Sequence, residues 1–232
     1  MILEKILESI KKYYAVKQIQ IGIHFTCVVS KNCGLASTML RECSGEEDEM
    51  ESGFLTLMSA KELALWVLSE KIEKASVGMA SINLLIDIQD SKCIEMNASD
   101  IIKEKGKGKN ISIIWHFPFV EELKGIAKNL WVIEKHPKIG DFPENDALKY
   151  LPQSDIVEIS GTTLINHTFE KLISLCPSKC IKIILGPTSP LSPILFDFGI
   201  DYICGCKVID ANTILKFIAE GANFRQLKKQ VK

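Results

Sequence analysis

DIVEISGTTLINHTFEKLISLCPSKCIKIIL, residues Asp155–Leu185, reads as strand, turn, helix and strand in one uninterrupted run. The apolar stretch Ile156–Ile159 is a strand and Ile181–Leu185 is its successor. Between them Leu164–Cys176 places Ile165, Phe169, Leu172, Ile173 and Cys176 on one helical face. A helix joining two short apolar strands is the unit from which parallel sheets are built.

The same rhythm extends in both directions. Short apolar runs recur at Ile111–Trp115, Leu130–Glu134 and Tyr202–Cys204, and helical patterns fall at Phe119–Lys128, Pro143–Tyr150 and Ala211–Glu220. Ser192 and Pro193 open a short helix that Gly199 closes, and Asp210 and Gly221 frame the last one. Strands this apolar need cover on both faces, so the expectation is an α/β fold with a doubly wound parallel sheet. Right-handed crossovers then put every strand-to-helix loop on one edge of the sheet.

That edge is predicted to carry His116, Phe117 and Pro118 in its first loop and Glu134 at the end of the second strand. Gly161, Thr162 and Thr163 follow in the third loop, and Gly186, Pro187, Thr188 and Ser189 in the fourth. Hydroxyls and free amides at helix starts suit a polar or anionic ligand, although the same residues also form plain turns. Glu134 lies about twenty residues after the first turn, where dinucleotide-binding sheets hold a ribose-binding acid. The first turn reads WHFP and not GxGxxG, and its bulk argues against a nicotinamide dinucleotide. An enzyme using an adenosine-containing cofactor such as S-adenosylmethionine, with Glu134 on the ribose, is the alternative to plain ligand binding. No GxSxG, P-loop or HExxH motif occurs, which leaves no candidate nucleophile and no assigned cofactor.

The first half has a different grammar. MILEKILESIKKYY is an amphipathic helix, and Val16–Val29 reads as a strand. A hairpin turn is expected at Lys31–Gly34, with a return strand over Leu35–Leu40. Ser44–Gly53 is acidic and reads as a solvated loop. Ser59 and Glu62 form a capping box ahead of an apolar stripe through Leu65, Leu68, Ile72, Ala75, Met79, Ile82 and Ile86, with a break expected near Ser76–Gly78. Asn83 sits inside the most apolar part, where its amide must find a partner in a loop backbone or a ligand. Gln89–Asn110 lacks periodicity apart from Ile101 and Ile102 and ends in KEKGKGKN, an exposed joint. A smaller α+β domain, residues 1–100, thus precedes a linker at 101–109 and the α/β domain at 110–232.

Composition narrows the function classes. Net charge is -1 at 25% charged residues, which gives no field favouring nucleic acid. No segment is long and apolar enough to span a membrane, and the charged first helix is no signal peptide, so a cytoplasmic protein is expected. The eight cysteines include no CxxC pair. Cys204 and Cys206 share a strand face beyond His116, but nothing fixes a third ligand, so no metal site is assigned.

Six stretches carry a family resemblance: Ser76–Leu85, Trp115–Phe119, Val132–Pro137, Asp155–Thr168, Leu185–Pro193 and Asp197–Asp210. Together they resemble a domain-of-unknown-function family named for heavy-metal chelation, with GTTLIN and GPTSPL the most specific pieces. The resemblance implies an enolase N-terminal-like domain joined to a Rossmann-like domain. It also implies a small-molecule or metal-chelate ligand in the cleft between them, with homo-oligomerisation open. By that likeness Asn83 faces Phe117, Glu134, Thr162, Asn166 and Thr188 across the cleft. Two departures stand out: Trp115 occupies a position where members often carry glycine, and the Cys204-Gly205-Cys206 pair is particular to this chain.

Overall fold

The computed structural model describes residues 1–40 and 52–232, so most of the acidic tract Ser44–Gly53 lies outside the described residues. Helix α1, Ile2–Ser9, buries Ile2, Leu3, Ile6 and Leu7 along one side, as its pattern predicts. Strands β1 (Gln18–Ile21), β2 (Phe25–Val29) and β3 (Cys33–Ser37) follow as an antiparallel meander in that order. The single strand expected over Val16–Val29 is therefore two. The chain reverses at Gly22, whose N–H reaches Phe25 O at 2.9 Å and whose missing side chain admits the backbone of Ile218. The next turn lies at Ser30–Asn32, one step earlier than expected, and Gly34 pairs with Val28 inside β3.

Ser59 caps helix α2, Ala60–Leu65, by the reciprocal bonds its spacing predicts: Glu62 N–H donates to Ser59 Oγ at 3.2 Å and Ser59 N–H to Glu62 Oε2 at 2.7 Å. A tight turn over Trp66–Leu68 separates α2 from helix α3, Ile72–Leu85. The break thus falls before Ile72 and not at Ser76–Gly78, and Leu65 and Leu68 are exposed. Gly78 stays helical because its bare face lets α3 press on the backbone of Trp66 and Val67. Gly34 does the same on the opposite side, where a Cβ would overlap Ala80 and Leu84. Helix α3 is buried from Ala75 through Ile82, wedged between β3 and the α2 turn.

The expected joint contains a helix. In α4, Ala98–Lys105, Ile102 is fully buried and Ile101 nearly so, both packed on one face of the second sheet. Two apolar residues in one turn sufficed to dock it, which composition alone concealed.

The second sheet holds β4 (Asn110–Ile114), β5 (Asn129–Glu134), β6 (Phe142–Pro143), β7 (Ile156–Ser160), β8 (Ile181–Leu185) and β9 (Tyr202–Cys204). Its order is β6-β5-β4-β7-β8-β9, parallel throughout. Five of these strands match the predicted runs within a residue; the two-residue edge strand β6 was not expected. The fold is α/β, with the doubly wound sheet joined to a smaller antiparallel one.

The helices between strands are short. They are α5 (Val120–Leu123), α6 (Ala147–Tyr150), α7 (Thr162–Ile165) and α8 (Phe169–Ser174), then α9 (Ala211–Ala219) and α10 (Phe224–Leu227). The helix predicted over Leu164–Cys176 is broken into α7 and α8. His167 takes φ 59° at the break, its Nε2 lies 2.8 Å from Val67 O, and Asn166 Oδ1 accepts from Thr168 N–H and Oγ–H.

The halves interlock. Helix α1 packs on the short helical segment Pro193–Phe198, and Ile2 N–H donates to Glu170 Oε1 at 2.7 Å. Helix α9 in turn covers β1 and β2. One apolar core consequently runs from Ile2 and Ile6 through Val77 and Leu84 to Val157, Ile184 and Leu195. Each fully buried isoleucine there contributes roughly 1.5–3 kcal/mol. No described helix is long and apolar enough to cross a membrane.

Candidate functional site

The sheet reverses its winding between β4 and β7, and ligands of open α/β sheets bind beside the carboxyl ends at such a point. The β4 loop is built first. Trp115 leaves the strand at φ 93°, a left-handed conformation that a bulky residue adopts only when its surroundings impose it, and its surface is 46% exposed. What imposes it is Glu134 at the end of β5. Its carboxylate accepts from His116 N–H at 2.7 Å and from Lys135 N–H at 3.1 Å, while Trp115 N–H donates to Ile133 O at 3.1 Å. Glu134, expected as a ribose acceptor, therefore staples two of its own loops.

The turned backbone delivers the imidazole of His116 to Asp141. Nδ1 lies 2.9 Å from both Oδ1 and Oδ2, and the Asp141 side chain is 3% exposed. Lys138 N–H donates to Oδ2 at 3.1 Å and holds the carboxylate in place. An ionised carboxylate only accepts, so in the neutral ring Nδ1 carries the proton, and Nε2 keeps its lone pair with no hydrogen-bond partner among the described residues. Phe117 and Phe119 stack at 5.5 Å and anchor the loop on the core beneath α4 and α5; Pro118 lies between them.

The Gly/Thr loops converge, as the strand order requires, but they close on each other. A Cβ on Gly161 would lie 2.5 Å from Ser189 Oγ, and one on Gly205 would lie 2.6 Å from Ser189 O. These glycines make room for Ser189. Thr162 Oγ1 pairs with Ser160 Oγ at 2.8 Å, and Thr163 Oγ–H donates to Ser160 O at 2.6 Å. Gly186 takes φ 113° to turn the fourth loop, with Ser189 N–H on its carbonyl at 2.9 Å. A one-turn α7 offers little dipole for an anion.

The amide of Asn83 is engaged the same way. Nδ2 donates to Leu35 O at 2.8 Å and lies 3.2 Å from Thr188 O and 3.4 Å from Pro187 O. Thr188 Oγ1 accepts from Ser37 N–H at 2.9 Å and donates to Ser37 Oγ at 3.0 Å. The expected cleft between Asn83 and Thr188 is thus a hydrogen-bonded seam between the two halves. Asn166 turns to Thr168.

Three features escaped the sequence reading. Asp141 follows Gly140 in a loop with no motif to mark it. Glu158, in the middle of β7, is fully buried with neither carboxylate oxygen partnered, and burial pushes it well above the usual carboxylate range. Its signal was visible: an acid inside IVEIS, a strand covered on both faces. Burial and the Glu158 carboxylate raise nearby Cys204 to about 11. Cys27 and Cys33 are the third feature: on the paired strands β2 and β3 their sulfurs lie 2.9 Å apart. Among the described residues no three His, Cys, Asp or Glu side chains are grouped to cage a metal ion.

Known proteins agree with this architecture. An uncharacterised protein of Methanocaldococcus jannaschii is 29% identical over 210 residues, spanning 86% of this chain and 80% of that protein. Two solved structures of unknown function from the DUF364 family share the fold. One, from Desulfitobacterium hafniense, has a TM-score of 0.86 at 23% identity over 97% of this chain and 94% of its own. The other, from Pyrococcus horikoshii, has a TM-score of 0.81 at 20% identity over 99% and 95%. Residues 3–86 match the DUF4213 family and residues 97–232 match DUF364, both described as "Putative heavy-metal chelation". Spanning more than half the chain, the second match settles its kinship: this protein belongs to the DUF364 family.

Proposed function

We propose that the protein binds a small metal chelate at the carboxyl edge of the parallel sheet, with His116 Nε2 as the protein's donor to the metal. The pairing of His116 Nδ1 with buried Asp141 carries this reading. A ligating imidazole is commonly oriented by a carboxylate on its other nitrogen, which fixes the tautomer and raises basicity. One imidazole cannot hold a bare ion against water, and no three-residue cage exists among the described residues. A metal already wrapped in a small organic chelator needs only one further donor. This supports a chelate as the ligand and accords with the description its family carries. The exposed Trp115 ring, carried by the residue before His116, offers an apolar surface for the chelator's organic part.

Calorimetric titration with Ni²⁺ and Co²⁺ complexes of a tetradentate amino-carboxylate tests the proposal. Wild type is expected to bind the complexes and not the metal-free chelator. His116→Ala should abolish the heat, whereas His24→Ala should leave it unchanged. Equal binding by wild type and His116→Ala, or no binding by wild type, refutes it.

A further inference from the structure

Cys27 in β2 and Cys33 in β3 lie on paired antiparallel strands. The register sets Cys27 opposite Leu35 and Val29 opposite Cys33, so the two cysteines are diagonal neighbours on one face of the sheet. Both are free thiols, and their sulfurs lie 2.9 Å apart, within about 0.9 Å of the ~2.05 Å of a disulfide bond. Cys27 is completely buried in an apolar cluster with Phe25, Leu35 and Ile214. Cys33, the first residue of β3 beside the Ser30–Asn32 turn, is half-buried and alone of the pair reaches the surface.

We propose that Cys27 and Cys33 are a redox-modification site, at which a peroxide joins them in a reversible disulfide that staples β2 to β3. A redox-sensing cysteine needs access to the oxidant and a second thiol at hand to resolve the first product. Cys33 has the access and Cys27 is that thiol. Nothing has to enter the closed cluster, because the new bond joins atoms already side by side. The diagonal register makes the bond reversible. Diagonal partners sit roughly 7–8 Å apart between Cα atoms, beyond the ~4.4–6.8 Å that relaxed disulfides span. The bond must draw the strands together beside the turn, and a strained disulfide is readily reduced.

Burial sets the order of events. The Cys33 sulfur attacks one oxygen of hydrogen peroxide, the O–O bond breaks, and the departing hydroxide takes the thiol proton as water. The Cys27 sulfur then attacks the sulfur of the resulting sulfenic acid. The S–O bond breaks, and hydroxide leaves with the Cys27 proton as a second water. Two thiols have lost two electrons and two protons, and one peroxide has become two waters. Cys27 does not lead, since its hydrogen bond with Cys33 and its burial hold its proton well above the ordinary thiol range, and the thiolate is the reactive form. Cys206, in the same cluster, is likewise kept protonated, pushed up to about 12 by burial and by Cys33. The staple acts on the strand that docks the two halves: Leu35 O accepts from Asn83 and Ser37 bonds to Thr188. The site shares no residue with the His116 site, and either can fail without the other.

The reduced full chain is treated with a small excess of hydrogen peroxide, remaining thiols are alkylated, and unreduced peptides are mapped by mass spectrometry. Cys27 and Cys33 are expected to be linked with the loss of two hydrogens, and dithiothreitol should restore both. Cys33→Ser should leave Cys27 an unmodified thiol, while the exposed Cys93→Ser should keep the link. Hydrogen exchange on the unaltered chain gives a check independent of variant folding: amides of residues 28–33 should exchange more slowly once oxidised, because the staple blocks local opening. Both thiols still free after peroxide, a Cys33–Cys206 bond instead, or sulfinic acid at Cys33 beside a free Cys27 overturns the proposal. So does a link that dithiothreitol leaves intact.

Discussion

His116 Nδ1 sits 2.9 Å from each carboxylate oxygen of Asp141, across a gap of twenty-five positions in the chain. The relationship fixes which ring nitrogen carries the proton. Asp141→Asn should leave the fold intact but let the imidazole choose either tautomer, weakening chelate binding by about 10–100-fold. Ring-nitrogen NMR shifts should show the Nδ1–H form in wild type and a mixture in the variant. An unchanged ring spectrum would remove Asp141 from its orienting role.

Glu158 lies unpartnered in the middle of the sheet, and its folded pKa is raised. The folded state therefore holds a proton that the unfolded chain releases above its ordinary value near 4.5. Stability from this group is fully present below that value and is lost as pH rises toward the folded pKa. Glu158→Gln should flatten this decline in urea-melt stability, and Glu158→Leu should add about 1–3 kcal/mol at neutral pH. A Leu variant less stable than wild type at neutral pH would show that the carboxyl has a partner in solution.

Trp115 holds φ 93° with nearly half its surface exposed. Glycine adopts that conformation without steric penalty, and little packing is lost by removing the ring. Trp115→Gly should raise stability by about 1 kcal/mol while weakening chelate binding through the lost apolar surface. The sign of the thermal shift checks the first half of the statement and calorimetry the second.

Thr188 and Ser37 join the halves through a part-buried pair of hydrogen bonds. Thr188→Val keeps the shape but strands the Ser37 N–H, costing about 1–3 kcal/mol in denaturant unfolding. Chelate affinity should not change, because Thr188 is engaged by Ser37 and lies outside the proposed His116 site. A selective loss of affinity at unchanged stability would return Thr188 to the binding site.

Much of the fold was legible because it rests on local pattern. The runs at 111–115, 130–134, 156–159, 181–185 and 202–204 announce strands by apolar content alone, and the Ser59–Glu62 box announces a helix start. The broken α7–α8 helix was less legible, since Leu164–Cys176 keeps its apolar face across a break set by His167 reaching Val67. Glycine was the most misleading residue. Gly34 suggested a turn and Gly161 a ligand cradle, yet both serve close packing of backbone on backbone.

From the order of residues alone follow the alternation of strands and helices, the parallel sheet and the edge where its loops gather, because periodicity acts over a few positions at a time. Only the folded chain decided which polar groups on that edge remain available. Thr188 is taken by Ser37 from 151 positions away and Asn83 by the 187–188 backbone, while His116 keeps one ring nitrogen without a partner among the described residues. Hydrogen bonds of such separation depend on how the two halves dock, and docking is set by the shared core, which no local pattern records.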